Sequence, residues 1–157
     1  MQTDCGMTTM PCQSDDWQIP ENTPVLSEGD VHVWLVQIDL DVVSTAALWA
    51  LLSLDEQQKA RRYQSPQVRD QFIYARGRLR VLLGRYLGVR PEEVAIAYNE
   101  YGKPQLGGDL QCRIYFNVSH SGALALYAVR SDADIGVDIE YIRHCRSPPS
   151  CGFPYSL

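Results

Sequence analysis

Two carboxylates, Asp138 and Glu140, stand two residues apart in the stretch GVDIE at residues 136–140. A β-strand directs residues i and i+2 to the same face, about 6 to 7 Å apart along the strand. Two carboxylates so placed suit a hard cation such as Mg²⁺, which takes one or two protein carboxylates together with waters and phosphate oxygens. The exposed side of any half-buried strand shows the same alternation. The spacing therefore fits both a magnesium pair and an ordinary polar face.

A serine and a histidine, Ser119 and His120, stand near the end of an apolar strand in the stretch FNVSHSG at residues 116–122. A histidine there can donate a hydrogen bond to a phosphate oxygen or act as a base. Neighbouring side chains on a strand point to opposite faces, so this dipeptide cannot form a hydrolase dyad by itself. A lone histidine is more often structural, but Lys103 in a Gly-Lys-Pro turn upstream and the carboxylates downstream favour a phosphate-binding role.

Positive charge is concentrated in residues 59–90, which contain nine basic side chains and one acidic one. On a helix, Arg69, Arg76 and Arg80 fall within about 40° of one another, at one edge of an apolar stripe. Such a cluster in an acidic protein indicates a bound phosphate or carboxylate. The simpler explanation is a solvated face whose aliphatic stems cover apolar surface. Two arginines at the opposite edge fit that explanation best: Arg78 and Arg85. Phosphate-binding cations beside a magnesium pair imply phosphoryl-type transfer from a phosphorylated substrate.

The composition argues against several classes of function. The 157-residue chain carries a net charge of −5, which speaks against nucleic-acid binding. No apolar run approaches the roughly 20 residues of a membrane span, and the polar N-terminus lacks the apolar core of a signal peptide. We therefore expect a cytoplasmic protein without a membrane segment. The five cysteines are scattered without CxxC spacing, which argues against a zinc site and favours free thiols.

The periodicity of apolar residues predicts the elements that must position these groups. Residues 31–40 are apolar on both faces, which predicts a buried strand. A short helix follows, capped by Ser44 or Thr45. A second helix begins at a capping box, in which Ser53 accepts from the amide of Glu56 and Glu56 reaches back.

The third helix has the clearest pattern and runs from Pro66 to Leu87, with Gly88 as its C-cap. Apolar residues recur in it at spacings of three and four, which predicts one buried face. The residues of that face are Phe72, Ala75, Leu79, Leu82, Leu83 and Tyr86.

The remainder of the chain is typical of strands. We predict strands at residues 94–102 and 113–121, a turn at 102–109, and a final strand pair formed by 123–131 and 134–142. Apolar residues that flank the carboxylates are expected to face the core: Ile135, Val137, Ile139 and Ile142. This order of elements predicts an α+β domain in which helices pack on a mostly antiparallel sheet.

Three regions follow from the change in composition along the chain. Residues 1–30 contain six acidic side chains and no basic one, which indicates a flexible leader. The folded domain is predicted at 31–143. Residues 144–157 contain three prolines and no periodicity, which indicates an irregular tail.

Several stretches together resemble a known family. YGKPQL, FNVSHSGALALYAV and GVDIE, in this order and spacing, resemble the first two signature blocks of 4'-phosphopantetheinyl transferases of the surfactin-synthetase-activating type. Two upstream stretches, LSLDEQQKARRY and YARGRLRVLLGRYLG, also match the pattern of that family. The resemblance covers residues 31–143.

The resemblance implies a fold and an activity. Members of the family are pseudo-dimers of two similar α+β halves with the site at their junction. They act as holo-carrier-protein synthases that move 4'-phosphopantetheine from coenzyme A to a serine of an acyl or peptidyl carrier protein. The reaction releases adenosine 3',5'-bisphosphate and requires Mg²⁺.

The resemblance also assigns roles to residues of this chain. Asp138 and Glu140 correspond to the metal-binding acids. Ser119 and His120 correspond to coenzyme A phosphate contacts, and His120 counts among the catalytic candidates. Further cofactor-binding residues are Lys103 at the nucleotide, with Arg76 and Lys59 at the 3'-phosphate.

The chain departs from the family pattern after residue 143. The family has a third block, in which an aromatic residue is followed after two positions by Lys-Glu and a further Lys, and this block is absent here. We therefore expect a truncated enzyme that comprises the N-terminal half, with low turnover and an apolar junction face that favours a homodimer. The alternatives are a catalytically inactive half-module that binds coenzyme A or a carrier protein, and a magnesium-dependent phosphohydrolase.

Overall fold

A central antiparallel sheet and three helices make up the part of the chain that can be described. The computed structural model describes residues 22, 25–40, 45–110 and 114–142. Its strands are β1 (Val31–Gln37), β2 (Ile96–Tyr98), β3 (Pro104–Leu106), β4 (Tyr115–Ser121) and β5 (Leu124–Arg130). The central sheet has the order β1-β5-β4, and β2 and β3 form a separate two-stranded ribbon; every pairing is antiparallel.

The helices lie between β1 and β2 in the chain. They are α1 (Thr45–Trp49), α2 (Leu54–Arg61) and α3 (Pro66–Leu87). A short 3₁₀ turn follows α3 at Pro91–Glu93, and another follows β3 at Gly108–Leu110. The capping box that starts α2 is confirmed, because Ser53 Oγ accepts from the Glu56 amide at 3.3 Å and Glu56 Oε2 accepts from the Ser53 amide at 2.9 Å. The end of α3 is confirmed as well, since Gly88 adopts a left-handed φ of 68°.

The predicted α+β class with a mostly antiparallel sheet is confirmed. The leader predicted for residues 1–30 falls outside the described residues except at 22 and 25–30, and the tail at 144–157 lies wholly outside them. Ser44 and all five cysteines also lie outside the described residues, and Thr45 is the first residue of α1. In the described part of the chain, no helix combines the length and apolar character that crossing a bilayer requires.

Three predictions about strands were wrong. The strand predicted as buried at 31–40 is β1, an edge strand without a buried residue, in which Val31 and Val33 are 45% and 42% exposed. The stretch predicted as a turn at 102–109 contains β3, which pairs with β2 to form the ribbon. Residues 134–142 form no strand with β5, because β1 and β4 already occupy both edges of β5. This segment instead lies along β4. Ile142, which we expected to face the core, is 81% exposed.

The core lies between α3 and the central sheet. Of the predicted buried face of α3, Leu79, Leu82 and Leu83 are buried, and the other three members are partly buried. On the sheet side, Tyr127 of β5 is 1% exposed and its hydroxyl donates to the Ala75 carbonyl of α3 at 2.7 Å. Burial raises the pKa of Tyr127 well above its usual range, so this hydroxyl remains a donor that ties the helix to the sheet.

A glycine in α3 allows α1 to approach closely. A Cβ added to Gly77 would lie 2.9 Å from Leu48 Cβ, nearer than atoms in contact normally come. Gly77→Ala is therefore expected to reduce the free energy of unfolding by up to about 2 kcal/mol, since overpacking costs about 1 to 3 kcal/mol and better helix propensity returns about 1. Gly136→Ala is the matched control, because nothing lies within 4 Å of the added Cβ. Denaturant melts of both variants test this, and a more stable Gly77→Ala would contradict it.

Candidate functional site

A cavity of about 280 Å³ brings together residues that are distant in sequence. Its walls come from α2, α3, the β2–β3 ribbon and the end of β4. Three predicted site residues line it: Lys59, Arg76 and His120. Aromatic side chains line it too: Tyr63, Phe72 and Tyr98. The cavity therefore combines basic groups with flat apolar surfaces.

Arg76 is held in the wall of the cavity by several contacts. Its Nη2 donates to the Tyr98 hydroxyl at 2.9 Å, and its Nε lies 3.5 Å from Glu56 Oε1. The guanidinium carbon stands 5.8 Å from the ring centre of Phe72 and 5.9 Å from that of Tyr98, which is cation–π distance. The side chain is 11% exposed, and its Nη1 has no hydrogen-bond partner among the described residues. That nitrogen is a buried donor suited to an anion.

Lys59 approaches the same two rings. Its Nζ lies 5.5 Å from the ring centre of Phe72 and 5.6 Å from that of Tyr98. Tyr63 adds a third ring, 5.5 Å from Phe72 between centroids. Two cations beside the same pair of rings make this wall electropositive, and the rings offer faces on which a planar group could stack.

The arginine cluster that we predicted on α3 separates in the structure. Arg80 is 2% exposed, and its Nε donates to Glu56 Oε2 at 2.7 Å. Its Nη1 donates to the carbonyls of Pro91 and Val94 at 3.1 and 2.9 Å. The prediction that Arg80 lies at the rim of the helix was wrong, because the turn after α3 folds back over that edge.

The other arginines of α3 also stand away from the cavity. Arg69 pairs with Asp70 at 2.9 Å and belongs to a separate groove beside α1. Arg78 packs on the ring of Tyr74 at 5.3 Å and is half-buried, so the solvated face that we predicted for it was wrong. Arg85 is exposed, as expected. Arg76 is thus the α3 arginine that lines the cavity.

Lys103 faces a different and smaller cavity, of about 120 Å³. Its Nζ lies 3.2 Å from Asp134 Oδ1 and donates to the Ile135 carbonyl at 3.0 Å. The turn around it is set by Asn99, whose Oδ1 accepts from the Lys103 amide at 2.9 Å, and by Gly102 at φ 78°. The structure does not bring Lys103 to the cavity of Arg76, and its role at a nucleotide stays a prediction.

The carboxylate pair lies on the segment that runs along β4. Asp138 and Glu140 are exposed, whereas Val137 and Ile139, which alternate with them, are half-buried. Ser119 Oγ donates to Asp138 Oδ1 at 2.6 Å. The hydroxyl of Ser119 is therefore used within the protein, on the carboxylate that we expected to bind metal.

This donor set fits Mg²⁺. Two carboxylates on one side of an extended segment are the hard oxygen ligands that this ion prefers, with waters and phosphate oxygens completing its shell. Within residues 22, 25–40, 45–110 and 114–142, no group of three metal-ligating side chains exists.

Sequence reasoning missed the aromatic wall and its support. Tyr98 stands in a three-residue strand and Tyr63 follows α2, so no repeating pattern of apolar residues marks either one as part of a site. Phe72 was expected only as core. Glu56 was predicted as a cap, but the same carboxylate also meets Arg76 and Arg80. The run of charged and aromatic residues in QQKARRY was the one available hint.

The geometry defines an α+β domain with a cationic, aromatic-walled cavity and, on the segment along β4, a pair of exposed carboxylates. Residues 43–132 match the family model described as 4'-phosphopantetheinyl transferase, N-terminal. The chain therefore belongs to the 4'-phosphopantetheinyl transferase family, as the sequence motifs predicted. The matched region contains Lys59, Arg76, Lys103, Ser119 and His120, and ends before the carboxylate pair.

Individual relatives agree with this assignment. The chain is 42% identical over 125 residues to the 4'-phosphopantetheinyl transferase HetI of Nostoc sp., a match that covers 79% of this chain and 52% of HetI. It is 35% identical over 109 residues to a putative 4'-phosphopantetheinyl transferase of Synechocystis sp., covering 69% and 44%. It is 36% identical over 109 residues to the 4'-phosphopantetheinyl transferase AcpT of Salmonella typhi, covering 69% and 50%. The chain spans about half the length of the curated relatives it matches.

Proposed function

We propose that this chain is the N-terminal half of a holo-carrier-protein synthase. The enzyme transfers 4'-phosphopantetheine from coenzyme A to a serine of an acyl or peptidyl carrier protein. The serine oxygen forms a bond to the phosphorus next to pantetheine, the bond from that phosphorus to the adenosine bisphosphate oxygen breaks, and the serine proton passes to a base. The observation that carries this proposal is the cavity in which Lys59, Arg76 and His120 meet three aromatic rings.

Each residue has a proposed part in binding coenzyme A. Arg76 binds the 3'-phosphate through its unpartnered Nη1, with Lys59 as a second cation beside it. His120, exposed at the end of β4, donates to the pyrophosphate. Charge-assisted bonds of this kind are roughly twice as strong as neutral ones. The aromatic rings of the cavity give the nucleotide a flat surface.

Asp138 and Glu140 would hold Mg²⁺ in this proposal. When bound, the ion would supply Lewis-acid stabilisation of charge on the phosphoryl group. Lys103 is proposed to contact the nucleotide, although its amine is engaged by Asp134. The cytoplasm is the proposed location, and self-association through an exposed apolar junction face stays a prediction for light scattering.

A mass measurement on the carrier protein tests the proposed reaction. The purified chain is incubated with coenzyme A, Mg²⁺ and an apo carrier protein, and the carrier is weighed by mass spectrometry. Addition of one phosphopantetheinyl group to the carrier serine supports the transferase. An unmodified carrier after a long incubation with high concentrations of the chain would contradict it.

The half-module that binds coenzyme A without transfer is the second candidate, and the cavity at Arg76 would serve it equally. It predicts binding of coenzyme A without any change in the mass of the carrier. The phosphohydrolase predicts something else, namely release of phosphate from simple esters without a carrier protein. Binding of coenzyme A, the mass of the carrier protein and the release of phosphate thus distinguish the three proposals.

A further inference from the structure

The segment that carries the carboxylate pair is held to β4 by side chains of β4. The Val137 amide donates to Asn117 Oδ1 at 3.0 Å. The Ile139 amide donates to Ser119 Oγ at 3.1 Å, and the Tyr141 amide donates to Ser121 Oγ at 3.1 Å. Each bond joins residues twenty positions apart, so the segment and β4 run in the same direction with matched periods of two.

These three bonds replace the backbone ladder that a neighbouring strand would use. Residues 134–142 belong to no strand, and the amides of alternate residues therefore depend on β4 side chains. The arrangement uses every second residue of FNVSHSG, which is the set of side chains that β4 directs to one face. We call Asn117, Ser119 and Ser121 the polar ladder.

The polar ladder determines which residues of the segment face outward. Val137 and Ile139 are half-buried against the sheet, while Asp138 and Glu140 are exposed. A shift of one residue in an extended segment would exchange the two sets. Three bonds at a fixed spacing oppose such a shift, and Lys103 adds a tie at the start of the segment through the Ile135 carbonyl at 3.0 Å.

Ser119 has a double part in this arrangement. A hydroxyl has one proton to donate and two lone pairs with which to accept. Ser119 Oγ accepts a hydrogen bond from the Ile139 amide and donates one to Asp138 Oδ1, 2.6 Å away. A bond from this hydroxyl to a coenzyme A phosphate would require release of Asp138.

We propose that Asn117, Ser119 and Ser121 are positioning residues that fix the carboxylate segment on β4 in the register that aims Asp138 and Glu140 outward for metal binding. Ser119 then acts on the metal-binding carboxylate and not directly on a phosphate. The metal-binding part of this inference rests on the proposed function. The ordering of the segment does not depend on it.

The test uses the full chain and two readouts. Amide hydrogen exchange by NMR reports the bonds at Val137, Ile139 and Tyr141 without any metal. Mn²⁺ binding, followed by electron paramagnetic resonance in the presence of coenzyme A, reports the carboxylate pair. Ser119→Ala and Ser121→Ala are compared with Ser119→Thr and Ser121→Thr, which keep the hydroxyl, and with Ser131→Ala as a control outside the ladder.

Each alanine variant is expected to speed exchange of its partner amide by about 3- to 10-fold, the effect of one lost hydrogen bond. Ser119→Ala should also weaken Mn²⁺ binding by about 3- to 10-fold, while affinity for coenzyme A measured without metal is unchanged. The threonine variants should keep amide exchange and Mn²⁺ affinity close to their wild-type values. A direct phosphate contact predicts the opposite, namely weaker metal-free binding of coenzyme A by Ser119→Ala.

Unchanged Mn²⁺ affinity in Ser119→Ala would overturn the positioning of the metal ligand, and unchanged amide exchange in the alanine variants would overturn the ladder itself. A wild-type chain that bound coenzyme A but no Mn²⁺ would count against the metal in the proposed function. It would also overturn the metal-binding part of this inference, and faster amide exchange in the variants would still support the ladder.

Discussion

Replacing Arg80 by alanine is expected to lower the free energy of unfolding by about 3 to 5 kcal/mol, the usual cost of breaking a buried ion pair by removing one partner. Arg80 is 2% exposed and lies 2.7 Å from Glu56, which is 4% exposed. The substitution leaves the Glu56 carboxylate with the Ser53 amide and the more distant Arg76. It removes the Arg80 donor from the buried Val94 carbonyl, whereas the Pro91 carbonyl keeps the Val94 amide. A buried acceptor that loses its donor adds to the loss.

Chemical denaturation of the purified variant measures this effect. Arg85→Ala is the matched control, since the same substitution on an exposed arginine of α3 is expected to change stability by less than about 0.5 kcal/mol. If Arg80→Ala lost no more than Arg85→Ala, the pair with Glu56 would not contribute to the stability of the domain. The ion pair also supports Arg76, so the stability and ligand-binding consequences are to be measured separately.

Removal of either carboxylate of the pair is expected to abolish the coupling between metal and coenzyme A. In the proposed site Asp138 and Glu140 would provide two ligands and the pyrophosphate others, so Mg²⁺ and coenzyme A should bind cooperatively. Asp138→Ala and Glu140→Ala should therefore show no gain in coenzyme A affinity with Mg²⁺. Any carrier modification should fall by about 100-fold or more, because a bound Lewis acid is worth several kcal/mol.

Calorimetric titrations of coenzyme A with and without Mg²⁺ measure this coupling. Asp109→Ala is the control, as an exposed acid outside the carboxylate segment. Both carboxylate variants should bind coenzyme A like the wild type when metal is absent. Variants that kept the full response to Mg²⁺ would show that the metal is held elsewhere.

Local signals explain what could be predicted from the sequence. The capping box at Ser53 and the left-handed Gly88 are recognised from a few neighbouring residues, and the structure reproduces both. The stripe of α3 depends on the period of a helix alone. The family motifs are also local, and they led to the correct family.

The errors arose where distant parts of the chain meet. A helical projection places Arg80 beside Arg76, but it contains no information about the turn at Pro91–Glu93 that covers Arg80. Apolar and polar residues alternate in residues 134–142. A strand in a sheet and an extended segment held by side chains both show this alternation, so the pattern could not distinguish them. Tyr98 reaches Arg76 from β2, which was predicted as part of a strand, but its partner strand β3 in the ribbon was predicted as a turn.

The most direct test of the central claim, that the cavity at Arg76 binds the 3'-phosphate of coenzyme A, is a calorimetric cycle. Coenzyme A and its 3'-dephospho form are each titrated into the wild type, Arg76→Ala and the control Arg85→Ala. We expect the wild type and the control to prefer coenzyme A by about 10- to 150-fold, the value of a bond to a charged group of about 1.5 to 3 kcal/mol. The preference should shrink as salt rises and be lost in Arg76→Ala. Equal affinity of the wild type for both ligands, or a preference that survives in Arg76→Ala, would contradict the claim.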